Sequence, residues 1–335
     1  MRAPYREGLS HMHILVTGGA GFIGSHVVEH HLARGDQVQV LDDLSTGSRD
    51  NLAPFLDHPG FRFEAVDVLQ CATLDRFAAW ADRIYHLAAV VGVKRVLAEP
   101  VKVLSTNIAG TERLLRAVHA GGWRPQIVLA SSSEVYGRNS APRFEESMDL
   151  VFHYQRSSRW NYAISKLADE SLGLSYSQRH GHRIVVARLF NTIGPRQIGR
   201  YGMVVPTFIA QAIAGQPLTV YGDGCQTRSF CDVRDVVMLL DRLAENPASH
   251  GEIVNVGHDR EITITALAEL VKTLAASASP ITYVPYREAY GEDFEDTPRR
   301  RPALDKLYRL VDCQPRWTLE DTLTDLMQRL RTGKH

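Results

Sequence analysis

The sequence predicts an α/β fold, in which helices cover both faces of a doubly wound parallel sheet and a smaller, mainly C-terminal substrate-binding domain follows. Three observations predict it. A glycine-rich turn joins the first strand to a helix, an acidic residue ends the second strand, and short apolar runs alternate with helical segments. A chain of 335 residues is long enough to bury a large core and to form two domains.

The glycine-rich turn, TGGAGFIG at residues 17–24, directly follows the apolar run 13–16 and opens a helix predicted over residues 22–34. Its backbone N–H groups and the helix N-terminus suit the pyrophosphate of a dinucleotide. The second strand, predicted over 37–41, ends at Asp42, whose carboxylate accepts both ribose hydroxyls of NAD and repels the extra phosphate of NADP. We therefore expect NAD as the cofactor, bound by Gly18, Gly21, Phe22, Ile23, Gly24 and Asp42.

The alternation of strands and helices is the pattern of a Rossmann sheet. Further strands are predicted over residues 61–66, 83–87, 126–130 and 183–189, and helices over 73–80, 101–119 and 162–180. Later segments are less regular, with strands at 218–221 and 252–256 and helices at 204–214, 233–244, 264–274 and 319–330. We place the NAD-binding domain at residues 12–195, with return segments from about 225–256, and the mainly substrate-binding domain at residues 196–330.

Composition excludes several classes of function. Lysines plus arginines equal aspartates plus glutamates at 38 each, so no basic surface for nucleic acid is expected. No apolar run is long enough for a transmembrane helix, and the polar residues 1–11 lack the apolar core of a signal peptide, which makes Met12 an alternative start. The four cysteines show no CxxC spacing, so we expect reduced thiols and a cytoplasmic protein.

A tyrosine and a lysine four residues apart, Tyr162 and Lys166, lie on one face of a predicted helix. The ordinary pKa of tyrosine, ~10, is too high for a base at neutral pH. A neighbouring ammonium and a cationic nicotinamide ring both favour the phenolate. Thirty residues upstream of Tyr162, a serine cluster at residues 131–133 follows a predicted strand and reaches the sheet edge where ligands bind. The alternatives are a chance surface pair and a serine-rich turn.

These motifs together resemble the extended short-chain dehydrogenase/reductase superfamily, in its branch of nucleotide-sugar epimerases, dehydratases and decarboxylases. The resemblance extends from about residue 12 to residue 330 and also includes HLAA at 86–89, SSSEVYG at 131–137 and an asparagine before Gly194-Pro195. It implies that Tyr162 is the base that opens the reaction, that Lys166 holds the nicotinamide ribose and lowers the tyrosine pKa, and that Ser132 assists.

Further contacts are also implied by the resemblance. Cofactor contacts are expected from Asp67, Val68, Leu87, Ala88, Ala89 and Asn107. Contacts to a UDP-sugar are expected from Asn191, Val205, Leu218, Val220, Tyr221, Arg228 and Arg300. The helices predicted at 101–119 and 162–180 correspond to those that pair between subunits in this superfamily, which implies a homodimer.

The residue at position 134 bears on the reaction. The enzymes of this branch first oxidise the sugar at C4 and differ in the step that follows. A 4,6-dehydratase usually has Thr-Asp-Glu at the serine cluster, and a 4-epimerase commonly has a small or neutral residue at the position of Glu134. The SSEVYG pattern, the Ser-Arg-Trp context at 158–160 and TPRRRP at 297–302 resemble UDP-glucuronate decarboxylases, which form UDP-xylose. This implies that Ser133 and Glu134 act near the carboxylate and C5, with Arg300 as an anion or proton-delivery partner.

Other interpretations stay open. The enzyme is alternatively a 4-epimerase of UDP-glucuronate or UDP-glucose, and Glu134 is alternatively a turn cap or a salt-bridge partner. Arg300 is alternatively a phosphate contact or part of a solvated arginine face. A non-catalytic NAD-binding sensor or scaffold generally lacks the tyrosine or the lysine, and an ordinary dehydrogenase would release NADH. The segment from His26 to His30 fits the HxxEH pattern of one zinc-peptidase class, but it falls on a helix that packs on the sheet, so we expect surface histidines and no metal site.

Overall fold

Seven parallel strands form the central sheet of the computed structural model, which describes residues 11–153, 158–199, 203–290 and 296–333. In chain order they are β1 (His13–Thr17), β2 (Gln37–Asp42), β3 (Phe61–Ala65), β4 (Arg83–His86), β5 (Gln126–Ser132), β6 (Arg183–Leu189) and β11 (Ile253–Val256). Their order in the sheet is β11-β6-β5-β4-β1-β2-β3. The strand order reverses between β1 and β4, which confirms the doubly wound fold and creates a binding crevice at the carboxyl ends of these two strands.

The remaining strands in the described part of the chain are short: β7 (Thr192–Ile193), β8 (Leu218–Tyr221), β9 (Thr227–Ser229), β10 (Cys231–Asp232), β12 (Glu261–Thr263), β13 (Ile281–Val284) and β14 (Arg299–Arg300). They form three small sheets, in the order β10-β7, β12-β9-β14 and β13-β8. The helices are α1 (Phe22–Ala33), α2 (Leu74–Trp80), α3 (Val93–Ala98), α4 (Pro100–Ala120), α5 (Asn161–His180), α6 (Val204–Ile213), α7 (Val233–Glu245), α8 (Ile264–Ala275), α9 (Tyr286–Tyr290), α10 (Asp305–Leu310) and α11 (Leu319–Thr332).

Apolar side chains bury both faces of the central sheet. Along β1, Ile14 and Val16 belong to one hydrophobic cluster and Leu15 to the other, because successive side chains of a strand point to opposite faces. Helices α1 and α7 cover the first face, and α2 and α4 cover the second. A third cluster joins β8 to α6, α8 and α11 and forms the core of a smaller lobe. We retain the domain boundary near residue 195 as a proposal.

Predicted and observed elements differ mainly in the short ones. The predicted helices and strands are present, with ends shifted by a residue or two, and β5 extends through Ser132. The sequence analysis missed short elements that show no clear hydrophobic period and that depend on tertiary contacts. They are α3, α9, α10, β7, β9, β10, β12, β13 and β14. No helix within the described ranges combines the length and the apolar character needed to cross a membrane.

The histidines of α1 are buried in polar contacts. His26 is 6% exposed, and its Nε2 lies 3.0 Å from the carbonyl oxygen of Pro195, so the expectation of a surface histidine is wrong for this residue. The cause is the packing of α1 against the loop that follows β7. His30 is partly buried, and its Nε2 lies 3.0 Å from the carboxylate of Asp241 on α7.

Asp241 is the centre of a buried charge network that joins α1, β4 and α7. Its carboxylate accepts hydrogen bonds from Arg83 and Tyr85 of β4 and pairs with Arg34, the residue that caps the C-terminus of α1. Burial by itself raises the pKa of Asp241, but the hydrogen bond from His30 and the charge of Arg83 outweigh it and hold this pKa far below its ordinary value. The network is therefore charged at neutral pH.

We expect Asp241→Asn to destabilise the fold by about 3 kcal/mol at neutral pH, because it leaves the buried Arg83 guanidinium without its counter-ion. Urea unfolding measures this loss. Glu245→Gln is the control: Glu245 pairs with Arg34 at a partly exposed position, and its change should cost under ~1 kcal/mol. Because the folded pKa of Asp241 is depressed, its contribution is complete above pH ~4 and declines below it. A difference between wild type and variant that stays constant down to pH ~2 would contradict this assignment.

Candidate active site

A large cavity opens at the carboxyl edge of the sheet, between β1, β4 and β5 on one side and the smaller lobe on the other. Its volume is about 810 Å³, within the range of sites that enclose a small organic molecule. The glycine-rich turn lines one end, and residues of β8 and β9 line the other. The start of α5 and the end of β5 lie on its wall as well.

The glycine-rich turn fits an anion. Gly18 has a φ of +74°, and a Cβ added there would lie 2.7 Å from the backbone nitrogen of Ala88. A Cβ at Gly24 would overlap with the carbonyl oxygen of Gly18. Helix α1 is capped by Gly21 without a side-chain acceptor, so the first N–H groups of the helix are available to a ligand in the cavity.

All residues that the sequence analysis assigns to the cofactor line this cavity. Asp42 ends β2, and its two carboxylate oxygens accept hydrogen bonds from the backbone nitrogens of Ala20 at 2.9 Å and Leu44 at 2.8 Å. These bonds fix the carboxylate beside the glycine-rich turn. The cavity wall includes Gly18, Gly21, Phe22, Ile23, Gly24, Asp42, Asp67, Val68, Leu87, Ala88, Ala89 and Asn107. Their contacts with a cofactor stay a proposal.

Asn107 has a structural task in addition to its place on the wall. Its Oδ1 accepts a hydrogen bond of 2.7 Å from the backbone nitrogen of Val90, and its Nδ2 donates to the Ser165 hydroxyl at 3.0 Å. The side chain therefore ties the loop after β4 to α5, the helix that carries Tyr162 and Lys166.

Tyr162 lies at the start of α5 and is hydrogen-bonded to Ser132 at the end of β5. Burial, followed by the nearby carboxylates of Glu134 and Asp169, raises the pKa of Tyr162 well above its ordinary value, and the bond from Ser132 opposes this only in part. Lys166 is not among the groups that shift this pKa, and its ammonium is paired with Asp169, with 3.2 Å between Nζ and Oδ2. A lowered pKa in the presence of the cationic nicotinamide ring stays a prediction.

Glu134 follows Ser132 in a tight turn and lies between two arginines. Arg159 binds it through two hydrogen bonds, from Nη1 to Oε2 at 2.6 Å and from Nη2 to Oε1 at 3.1 Å. Arg300 donates from Nη1 to Oε1 at 2.7 Å. Burial raises the pKa of Glu134, but the two guanidinium charges outweigh it and hold this pKa far below its ordinary value. The carboxylate is thus ionised and accepts hydrogen bonds; it is no proton donor.

Arg159 was missed as a site residue, although the Ser-Arg-Trp context before Tyr162 was noted. It is only 4% exposed and reaches the cavity wall. The available signal was its position three residues before Tyr162, which puts it near the start of the same helix, but nothing in the local pattern named Glu134 as its partner.

The predicted substrate residues divide into two groups. Asn191, Val205, Tyr221, Arg228 and Arg300 line the cavity. Leu218 and Val220 do not: both are fully buried in the core of the smaller lobe, and their neighbours Thr219 and Tyr221 face the cavity instead. The assignment of these two side chains to the substrate is therefore wrong, because alternate residues of β8 point to opposite sides.

The predicted residue Arg228 belongs to a second charged group on the wall, whose other members were not predicted. Its Nη2 donates to Asp296 Oδ1 at 2.7 Å, and the Tyr286 hydroxyl donates to the other oxygen of the same carboxylate at 2.7 Å. Asp296 directly precedes the arginine-rich segment 297–302 that drew attention in the sequence, but a lone acid in that place has no signature of its own.

Metal ligation has little support. Within the described residues, a single group of three ligand-type side chains lies close together: His30, His31 and Asp241. None of them lines the cavity, and the carboxylate of Asp241 already pairs with Arg34 and Arg83. Two guanidinium groups on one ligand repel a cation, so this group carries no metal site.

The chain is similar to known proteins over most of its length. Residues 14–257 match the model of the NAD dependent epimerase/dehydratase family. The chain belongs to this family. The UDP-N-acetyl-α-D-glucosaminuronate decarboxylase of Bacillus cytotoxicus is 34% identical over 318 residues, which cover 95% of this chain and 97% of that protein. UDP-glucuronic acid decarboxylase 6 of Arabidopsis thaliana is 38% identical, with 97% and 91% covered.

Among solved structures, the UDP-glucose 4-epimerase of Thermus thermophilus in complex with NAD is similar to this chain. The TM-score is 0.82 and the identity 31%, with 96% of this chain and 99% of the epimerase covered. The family therefore includes neighbours of both reaction types that the sequence analysis weighed.

We expect Gly24→Ala to lower the affinity for NAD at least ~10-fold, because the added methyl group overlaps with the Gly18 carbonyl and must open the anion-binding turn. Titration of the protein with NAD measures the affinity, and circular dichroism verifies the fold. Ala33→Gly removes one methyl group at the exposed far end of the same helix and should keep wild-type affinity. Equal affinities for Gly24→Ala and wild type would exclude the turn as the pyrophosphate site.

Proposed function

We propose that the protein is an NAD-dependent decarboxylase that converts UDP-glucuronate into UDP-xylose through a 4-keto sugar. One observation carries the proposal: next to the Tyr162–Ser132 pair, Glu134 is held between Arg159 and Arg300 on the cavity wall. Decarboxylases of two UDP-uronates are related over nearly the full chain. The cationic surplus at this wall suits a sugar that carries a carboxylate.

NAD fits the other end of the cavity. The turn at Gly18, Gly21 and Gly24 would hold the pyrophosphate, and the carboxylate of Asp42 would accept the ribose hydroxyls. When bound, NAD supplies the oxidation at C4 of the sugar, the later return of the hydride, and a positive charge that favours the Tyr162 phenolate.

In this proposal Tyr162 takes the proton of the sugar 4-hydroxyl, and Ser132 orients that hydroxyl through its bond to the phenol. Lys166 and Asp169 form a buried pair one turn along the same helix, which fixes the ammonium for a ribose hydroxyl. Because the phenol is deeply buried beside two carboxylates, the protein alone keeps it protonated. Tyr162 can therefore act as a base only when the positive charge of bound NAD lowers its pKa.

Loss of carbon dioxide requires an acceptor for the electron pair of the broken carbon–carbon bond as well as a binding site for the carboxylate. A C4 ketone is β to the C5 carboxylate, so the electrons of the broken bond enter an enolate whose oxygen is at C4. Tyr162, once protonated, and Ser132 are placed to donate hydrogen bonds to that oxygen. We assign Arg300 to the carboxylate. Ser133, which is 3% exposed beside Glu134, is assigned to the C5 side of the sugar, where a proton from water takes the place of the lost carboxylate before the hydride returns to C4.

A 4-epimerase is the second candidate, since the Thermus thermophilus epimerase shares the fold. An epimerase of UDP-glucose needs room for the keto sugar to turn over, and the only anion of its substrate is the diphosphate, since the hexose is neutral. Two nearly buried arginines next to Tyr162 therefore favour a sugar that carries a carboxylate. A 4-epimerase of UDP-glucuronate would hold the same carboxylate, so it is the relatedness to decarboxylases of two UDP-uronates that favours decarboxylation.

Incubation with UDP-glucuronate tests the reaction. We expect a product lighter by the mass of one carbon dioxide, with no net consumption of added NAD, because oxidation and reduction take place in one cycle. UDP-N-acetylglucosaminuronate is a second uronate to compare. A product of unchanged mass would identify an epimerase instead. Turnover of UDP-glucose alone would overturn the assignment of the carboxylate.

We expect Tyr162→Phe to lower kcat by roughly 10²- to 10⁴-fold, the usual contribution of a positioned base. Binding of UDP-glucuronate should change far less. Tyr176→Phe, on the same helix and outside the cavity wall, is the control and should turn over at the wild-type rate. Retention of wild-type turnover by Tyr162→Phe would refute the whole mechanism.

Glu134→Gln keeps the shape of the side chain and removes its charge. We expect it to leave oxidation at C4 intact and to slow release of carbon dioxide at least ~10-fold, so that a 4-keto sugar nucleotide accumulates. Mass analysis of quenched reactions measures both species. Glu145→Gln, an exposed acid paired with Arg143 at 3.5 Å, is the control. Wild-type product formation by Glu134→Gln would remove Glu134 from the mechanism.

The assembly and the compartment are further proposals. We infer a homodimer through α4 and α5, which pack side by side and leave Val101 of α4 78% exposed. All four cysteines are free thiols, which supports a reducing, cytoplasmic setting. Analytical ultracentrifugation distinguishes a dimer from a monomer.

A further inference from the structure

Three charges meet at the wall of the cavity beside Tyr162, and they do not cancel. Glu134 contributes one negative charge, whereas Arg159 and Arg300 contribute two positive charges. Asp296 and Arg228, on the same wall, pair with each other and leave this difference unchanged. All three side chains are nearly buried, with exposed fractions of 13%, 4% and 8%. A buried cationic surplus is unfavourable unless an anion joins it, so this cluster is built for a ligand with a negative charge.

The two arginines bind Glu134 unequally. Arg159 grips both carboxylate oxygens with its two terminal nitrogens, at 2.6 and 3.1 Å. Arg300 reaches one oxygen through one nitrogen, at 2.7 Å. A bidentate pair has a fixed geometry and is harder to separate than a single hydrogen bond. If one arginine leaves Glu134 for another anion, Arg300 is the one that leaves at lower cost.

The anchoring of the two arginines agrees with this division. Arg159 stands in a turn of 3-10 helix (Ser158–Trp160) that runs directly into α5, and its guanidinium lies 5.1 Å from the ring centroid of the fully buried Trp160. Arg300 stands on β14, a two-residue strand at the edge of a three-stranded sheet. Arg159 is therefore fixed by the helix that carries Tyr162.

We propose that Arg159 is a positioning residue for the sugar carboxylate: it holds Glu134 in place as its counter-ion and thereby leaves Arg300 available to bind the carboxylate of the substrate. The inference rests on the proposed function, since it presumes a UDP-uronate. Without Arg159, Arg300 is needed to compensate Glu134, and the incoming carboxylate meets a cluster whose charges cancel.

Binding to paired ligands tests this, because UDP-glucuronate and UDP-glucose differ at the carboxylate. The parent is the Tyr162→Phe protein loaded with NAD, and every variant is made in it, because slow turnover lets calorimetry measure the affinity for each UDP-sugar. We expect Arg159→Met to weaken UDP-glucuronate roughly 10- to 100-fold, the range of a lost charge-assisted bond, and to change UDP-glucose less than about threefold. Arg159→Lys, which keeps the charge without the bidentate grip, should fall between Arg159→Met and the parent.

A second variant separates positioning from simple structural support. Glu134→Gln added to Arg159→Met removes the charge that retains Arg300, so UDP-glucuronate affinity should return to within about threefold of the parent. A merely structural role for Arg159 predicts no such rescue. It also predicts equal weakening of both ligands.

The outcomes separate a failure of this inference from a failure of the proposed function on which it rests. If the parent binds UDP-glucuronate no better than UDP-glucose and wild type releases no carbon dioxide, the proposed function fails. If wild type decarboxylates but Arg159→Met weakens both ligands alike, or neither, or the double variant shows no rescue, the role of Arg159 fails alone. A selective loss together with rescue supports it.

Discussion

The ion cluster at Glu134 is the constraint on which the chemistry of the cavity depends. A carboxylate in a nearly buried place would ordinarily take up a proton, and here two guanidinium groups prevent it. Glu134 therefore acts as a fixed negative charge and an acceptor of hydrogen bonds. It also raises the pKa of Tyr162, so the same carboxylate that organises the arginines makes the base dependent on charges that arrive with the ligands.

The sheet topology brings these groups together. Ser132 and Glu134 follow β5, Tyr162 and Arg159 lie at the start of α5, and Arg300 comes from β14 of the smaller lobe. Strand order reverses between β1 and β4, so the edge beside them is open and a long cavity forms there. Its glycine-rich end suits a pyrophosphate and its arginine-rich end suits a uronate, which agrees with membership of the NAD dependent epimerase/dehydratase family.

Buried charge serves different ends in two parts of the molecule. At Asp241, several donors converge on one carboxylate and join α1, β4 and α7, away from the cavity, and the charges of Arg34 and Arg83 are matched by the carboxylates of Asp241 and Glu245. That network is satisfied from within the protein and stabilises the fold. At Glu134, one positive charge remains in excess, and an anionic ligand would compensate it. The difference in charge balance, more than burial itself, separates the structural cluster from the functional one.

The sequence by itself determined the doubly wound sheet, the glycine-rich turn, Asp42, and the Tyr162–Lys166–Ser132 group, because each depends on a period or a short motif that is local in the chain. Only the tertiary structure decided the partners of Glu134, which lie 25 and 166 residues away at Arg159 and Arg300. It also decided that Leu218 and Val220 face the core of the smaller lobe. Both outcomes depend on which distant segments of the chain meet in the fold. A local sequence pattern carries no information about such contacts, so neither the partners of Glu134 nor the buried side of β8 could be predicted from it.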